Sequence, residues 1–133
     1  MTAIRSYRPG TDDADLAAIF HAAVQASDYS QAQRDDWSPS CPSAEDWRDR
    51  LSGLDTLVAE DDGTPVGFLS MDMTTGLLDL AFVHPDRARQ GIGGALYVAM
   101  MERARARGLV GFTVEASVAS HPFFRTRGWR ETG

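Results

Sequence analysis

The sequence has no lysine, one cysteine and three histidines. A lone Cys41 excludes an intramolecular disulfide framework and a cysteine-built metal cluster. His21, His84 and His121 lack metal-ligand spacing, so structural zinc is not expected. No apolar run approaches the roughly 18 residues that a membrane-crossing helix needs. Residues 1–10 carry charges but no apolar stretch, so they do not read as a secretory signal, and a cytoplasmic location is expected. Repeats, low-complexity segments and linkers are also missing. With 133 residues the chain has room for one domain, residues 1–133, because two would each be too small to bury a proper core. Hydrophobic residues at 43% and charged residues at 24% are ordinary for a soluble globular protein.

All 13 basic residues are arginine, which together with the many alanines points to a GC-rich bacterial genome. Against them stand 19 acidic residues, for a net charge of −6. The charge is uneven. Residues 1–80 hold 5 Arg and 15 Asp or Glu, net −10; residues 81–133 hold 8 Arg and 4 acids, net +4. An acidic half suits a cationic partner and a basic half an anionic one. The acidic total argues against nucleic-acid binding.

Residues 2–8 alternate weakly and stop at Pro9-Gly10, the pattern of a strand. Thr11-Asp12-Asp13 offers helix caps, and Leu16, Ile19, Phe20, Ala23 and Val24 recur at helical spacing. Ser43, followed by Glu45 and Asp46, caps a second helix that carries Trp47 and Leu51 and ends near Gly53. Residues 55–60 and 65–73 read as strands joined by Asp61-Asp62-Gly63, an Asp-Gly hairpin signal. Thr74-Thr75-Gly76 turns into residues 77–83, an apolar run broken by Asp79 and suited to a strand buried on both faces. Residues 91–107 form a long helix closed by Gly108. Residues 109–116 form a strand, followed by a short helix and a last strand from Gly128. The helical crossover from Val83 to Leu109 makes those two strands parallel. The expected fold is a mixed α/β (α+β) sheet flanked by helices.

The informative segment is the connection from Val83 through His84-Pro85-Asp86-Arg87-Ala88-Arg89 to Gln90-Gly91-Ile92-Gly93-Gly94-Ala95-Leu96. A buried strand enters a turn, then an arginine- and glycine-rich loop, then a helix. The glycines allow a ligand close to the backbone. The unpaired N–H groups and dipole of the helix start favour an anion. A phosphate or pyrophosphate cradle follows. It is not a Walker loop, since no Gly-Lys-Ser/Thr is present, and the dinucleotide Gly-x-Gly-x-x-Gly spacing is absent.

Phe82-Val83-His84-Pro85 and Gln90-Gly91-Ile92-Gly93-Gly94-Ala95-Leu96 resemble the central motif of the GNAT acetyltransferases, a strand ending in Val-x-Pro followed by (Arg/Gln)-x-x-Gly-x-(Gly/Ala) and a helix. The resemblance covers nearly the whole chain, from the first strand and helix to Phe123-Phe124 and Gly128-Trp129. Tyr29 to Gln33 and Trp37-Ser38-Pro39 resemble a bacterial branch of the family. It implies a mostly antiparallel sheet whose two parallel strands splay apart around acetyl-CoA, the co-substrate, with no metal. The pyrophosphate would sit on N–H groups of Arg89, Gln90, Gly91, Ile92, Gly93 and Gly94, with Ala95 beside them. Pantetheine would run along Ala81, Phe82 and Val83, with Phe124 beside it. The Val83 N–H would hold the acetyl carbonyl and the oxyanion formed on amine attack. The implied activity is acetyl transfer from acetyl-CoA to a primary amine by direct attack in a ternary complex.

The chain departs from the family pattern at four places. Ala88 stands where the loop's first Arg or Gln is usual, so Arg87 or Arg89 would substitute. Ser117 stands at a usual Asn, and Phe124 at a usual tyrosine acid. Only residues 128–133 follow the last helix, so the family's seventh strand is expected to be missing, because the chain is truncated or because a partner supplies the edge. Such an open edge, beside Phe112, Val114 and Trp129, invites pairing with a second copy of the chain, and a homodimer is expected.

An alkyl amine near pKa 10.4 must lose a proton before attack, while the departing thiolate, near about 8.5, needs little help. Glu115 is a candidate base or water-holder. Asp72 and Asp79 are candidates facing the acceptor, or in the case of Asp79 a partner for a neighbouring arginine. His84 is a candidate titrating group or a solvated turn residue, and Ser117 a thiolate partner. Tyr29 and Trp37 would line an acceptor pocket by cation–π attraction, or pack the first helical region on the sheet. Tyr97 reads as core. Phe124 and the short C-terminus also suit a non-catalytic acyl-CoA-binding or protein-interaction module.

Overall fold

The computed structural model describes residues 2–26, 40–87, 90–109 and 113–114. In chain order the elements are β1 (Thr2–Ser6), α1 (Asp13–Gln25), α2 (Ala44–Leu51), β2 (Asp55–Asp61), β3 (Thr64–Asp72), β4 (Leu77–Val83), a single 3₁₀ turn (Pro85–Arg87), α3 (Ile92–Ala106) and β5 (Thr113–Val114). The sheet order is β1-β2-β3-β4-β5. The first four strands are antiparallel, and β5 pairs parallel with the start of β4, Leu77 with Thr113 and Leu78 with Val114. The parallel pair follows from the crossover through α3.

Short-range chemistry sets the turns. Asp62 and Gly63 take φ of 51° and 83°, the two left-handed positions that a two-residue hairpin requires. Ser43 accepts from the Asp46 N–H and starts α2, as its position implies. α1 starts at one of the expected cap residues, but without its side-chain bond. The N-cap residue is Asp12. Its carboxylate faces back, accepting from the Arg5 guanidinium at 2.8 and 2.9 Å and from the Arg8 N–H at 2.8 Å. The two-pronged bond to a full positive charge outcompetes a single cap bond from a backbone N–H.

The sheet carries a core on each face. Toward α3 lie Leu57, Leu69, Met71 and Leu78, packed on Ile92, Leu96, Met100 and Ala104. Toward α1 and α2 lie Val58, Phe68 and Leu80, packed on Leu16, Ile19, Trp47 and Leu51. The close seat of α3 depends on Gly67. A Cβ there would stand 3.2 Å from Ile92 Cγ2 and from the Phe82 carbonyl, and 3.3 Å from Val83 Cγ2. Gly67→Ala is therefore expected to cost about 1–3 kcal/mol by overpacking, measured by denaturant unfolding. Unchanged stability would mean that α3 does not press on the sheet at this point.

Among the described residues no helix is long and apolar enough to cross a membrane, and no group of three or more His, Cys, Asp or Glu is arranged to hold a metal ion.

Candidate functional site

β4 is the strand on which the sequence motif begins, and its backbone is irregular. Ser70 pairs with Leu80 while Met71 pairs with Leu78, which leaves Asp79 as an extra residue, a β-bulge. The bulge changes which side chains share a face. Leu78 packs toward α3, then Leu80 and Phe82 pack toward α1 and α2, while Ala81 and Val83 return to the α3 side. The His84 N–H donates to the Val66 carbonyl at 2.9 Å. Antiparallel strands alternate bonded and non-bonded positions, so the N–H groups of Ala81 and Val83 face away from β3, toward the edge where β5 lies. Ala81, Phe82 and Val83 are half-buried. The strand is thus less enclosed at its C-terminal end than its apolar sequence suggests.

Beyond Val83 the 3₁₀ turn and loop lead into α3. Gly91 is its N-cap, at φ 80°, with no heavy atom within 4 Å of where a Cβ would stand. The first bond of the helix runs from the Ala95 N–H to the Gly91 carbonyl at 3.0 Å. The N–H groups of Ile92, Gly93 and Gly94 therefore have no acceptor within the helix. Gln90 and Gly91 are exposed, and Gly93 and Gly94 half-buried. Ile92 combines two roles: its side chain is in the core while its N–H belongs to the helix start. These groups, together with open space at Gly91, form a cradle suited to a phosphate. Arg87, considered above as a phosphate anchor, is instead ion-paired with Asp61 of the β2–β3 hairpin. Hydrogen bonding with Thr2 and the charge of Arg87 hold the Asp61 carboxyl below its usual range, the first of these being the stronger.

The opposite face of β4 is aromatic. Phe82 meets Phe20 of α1 edge-on at 5.1 Å and Phe68 of β3 at 5.8 Å, and Phe20 meets Trp47 of α2 at 4.8 Å. These contacts seat α1 and α2 over the strand. The spacing of Phe20 and Trp47 announced helix cores, but nothing in it joined them to Phe82. At the bulge, Arg50 of α2 grips Asp79 with bonds of 2.8 and 3.3 Å. That pairing is the arginine-partner reading of Asp79. Asp72 sits at the end of β3, where its carboxylate accepts from the N–H groups of Thr74 and Thr75 at 2.8 and 3.3 Å and shapes the turn into β4. His84 uses Nδ1 to accept from the Asp86 N–H at 3.1 Å. Tyr97 packs against the α3-side core.

The structure brings Ala81, Phe82, Val83, Gln90, Gly91, Ile92, Gly93, Gly94 and Ala95 together on one connection, with Asp79 on the same strand. Arg89, Glu115, Ser117, Phe124, Tyr29 and Trp37 lie outside the described residues, as do Ala88, Phe112, Trp129 and residues 128–133 on which the dimer expectation rests.

Comparison with known proteins agrees with this fold. A crystal structure of a GCN5-related N-acetyltransferase from Rhodopseudomonas palustris matches with a TM-score of 0.86 and 38% identity, over 96% of this chain and 81% of that one. The PaiA N-acetyltransferase of Thermoplasma acidophilum, solved with coenzyme A, matches with a TM-score of 0.81 and 17% identity, over 98% and 90% of the two chains. A GNAT-family acetyltransferase from Brucella melitensis, solved with acetyl-CoA, matches with a TM-score of 0.71 and 23% identity, over 98% and 84%. No curated protein sequence matches significantly. Residues 25–133 match the family model described as the acetyltransferase (GNAT) domain, and with the bulged β4, the glycine-capped α3 and the parallel crossover between them, the chain belongs to the GNAT acetyltransferase family.

Proposed function

We propose that the protein transfers an acetyl group from acetyl-CoA to a primary amine by direct attack in a ternary complex, without a metal. One observation carries the reading: the outward N–H of Val83 and the unpaired N–H groups of the α3 start lie on a single strand–loop–helix connection. Pyrophosphate fits the open backbone around Gly91, and Arg89 adds charge to it. Pantetheine runs along Ala81 to Val83, with Phe124 at its side. The Val83 N–H holds the thioester oxygen as charge develops on it.

The amine nitrogen forms the new C–N bond, the C–S bond breaks, and the thiolate leaves. The proton released by the amine goes to Glu115, directly or through water, and Ser117 hydrogen-bonds the departing sulfur. Asp79 is engaged by Arg50, so its part is to hold the bulge and orient the site rather than to take a proton. Tyr29, Trp37 and Asp72 belong to the acceptor side. The acidic first half favours a cationic acceptor such as a polyamine, an aminoglycoside or a protein amine. Cytoplasmic location and pairing of two copies through the β5 edge complete the proposal.

Thiol release from acetyl-CoA in the presence of a panel of amines tests it. Turnover with any amine is the expected result. Tight CoA binding without turnover would replace catalysis by an acyl-CoA-binding role, and absence of CoA binding would overturn both.

A further inference from the structure

At the far end of α3 from the phosphate cradle lies a polar cleft of about 580 Å³ between the end of β1, the end of α2 and the last turns of α3. A helix of 15 residues separates the two places by about 22 Å. Arg48, Arg103 and Arg107 all line this cleft, and Asp55 is the sole carboxylate among its lining residues. Asp55 is shared: it is ion-paired with Arg107 and stands 3.6 Å from Arg103. Arg103 also donates to Ser6 Oγ at 2.8 Å. Arg48 has no ion pair among the described residues and is exposed. Three lining arginines are therefore set against one lining carboxylate, with a second, Asp13, behind Tyr7, whose hydroxyl donates to it, so that positive charge prevails locally in a protein whose net charge is −6.

Like charges gathered in one concavity repel unless an anion joins them. A guanidinium is permanently charged and presents a planar fork that matches carboxylate and phosphate oxygens. Tyr7, Pro9 and Leu54 supply an apolar flank, so that a bound ion would be partly removed from water and its pairs strengthened. We infer that this cleft is a second ligand site, taking a small dianion, either a phosphate monoester-like group or a dicarboxylate, held chiefly by Arg48 with Arg103 and Arg107. It is independent of the acetyl-transfer reading, since none of its lining residues belongs to the β4–α3 connection.

The test is an amide NMR titration of the full chain, kept saturated with CoA, with inorganic phosphate and, separately, with succinate; acetate serves as the monoanion control. The expected result is saturable shifts at Ser52, Gly53 and Leu54 with one dianion or both, and much weaker binding of acetate. Arg48→Gln is expected to weaken the dianion at least tenfold while leaving the spectrum folded, and Arg105→Gln, on α3 but outside the cleft, to leave it unchanged. Phosphate alone giving shifts assigns the site to phosphate groups; succinate alone assigns it to dicarboxylates. Shifts confined to Gly91–Gly94, equal affinity in Arg48→Gln, or no shifts with either dianion would overturn the inference.

Discussion

Gly93→Glu is expected to abolish the stabilisation that CoA confers on the parent protein. At a hundredfold excess over its dissociation constant, a ligand that binds only the folded chain raises stability by about 2.7 kcal/mol. Gly93 is in the first turn of α3, where its N–H has no acceptor in the helix and would meet the pyrophosphate. A glutamate there places bulk and negative charge where two phosphates must come. It does not threaten the helix, because an acidic side chain near a helix N-terminus is itself favourable by about 0.3–1 kcal/mol. Loss of the ligand effect thus reads as loss of binding and not of folding. Gly91→Glu should have the same consequence, with an added cost of roughly 1–2 kcal/mol, since φ of 80° suits glycine and strains other residues. Thermal unfolding with and without CoA checks both variants. An undiminished shift in the two would remove the CoA assignment.

Asp12→Ala is expected to destabilise the protein by about 3 kcal/mol. Breaking a buried ion pair by removing one partner typically costs 3–5 kcal/mol, roughly, because the other charge is left behind. Asp12 has a side chain only 3% exposed, and Arg5 is 15% exposed. The low end applies because Arg5 keeps Glu60, to which its Nε donates at 2.7 Å. Burial by itself raises the Asp12 carboxyl, but the Arg5 hydrogen bonds and the Arg8 N–H outweigh it, and the net position is below the usual range. A carboxyl depressed by folding contributes stability that is full above its unfolded value of about 3.9 and is lost as pH falls through the folded value. Denaturant unfolding of the parent and of Asp12→Ala should therefore differ at neutral pH and converge as acid is added below about pH 4. A constant difference down to the lowest pH would show that Asp12 acts through packing alone. The pair matters to the site because it fastens the start of α1 to β1 and β2, and α1 carries Phe20 onto Phe82 of β4.

Much of this architecture is local in origin. Asp62-Gly63, Ser43 before Glu45 and Asp46, and Gly108 after α3 each act on their own backbone within a turn, and the elements they delimit lie where the sequence places them. The same holds for the phosphate cradle: glycine at the helix cap and unpaired N–H groups depend only on a strand, a loop and a helix following one another. The length of the crossover also made the parallel pair legible. Less legible was the cap of α1, where Asp12 leaves the helix for Arg5, a residue seven positions earlier.

Tertiary structure decided what depends on distant partners. Asp79 interrupts an apolar run, which marks it as unusual, but only pairing with β3 turns it into a bulge and only α2 brings Arg50 to it. Arg87 reads as a free cation until the β2–β3 hairpin supplies Asp61, 26 residues away. Arg48, Arg103, Arg107 and Asp55 have no relation in the sequence, and they share a cleft because the ends of α2 and α3 meet the β1–β2 edge. Backbone donors and turns are set by neighbours along the chain. The pairing of charges is set by which surfaces the core presses together, and no spacing of residues records that.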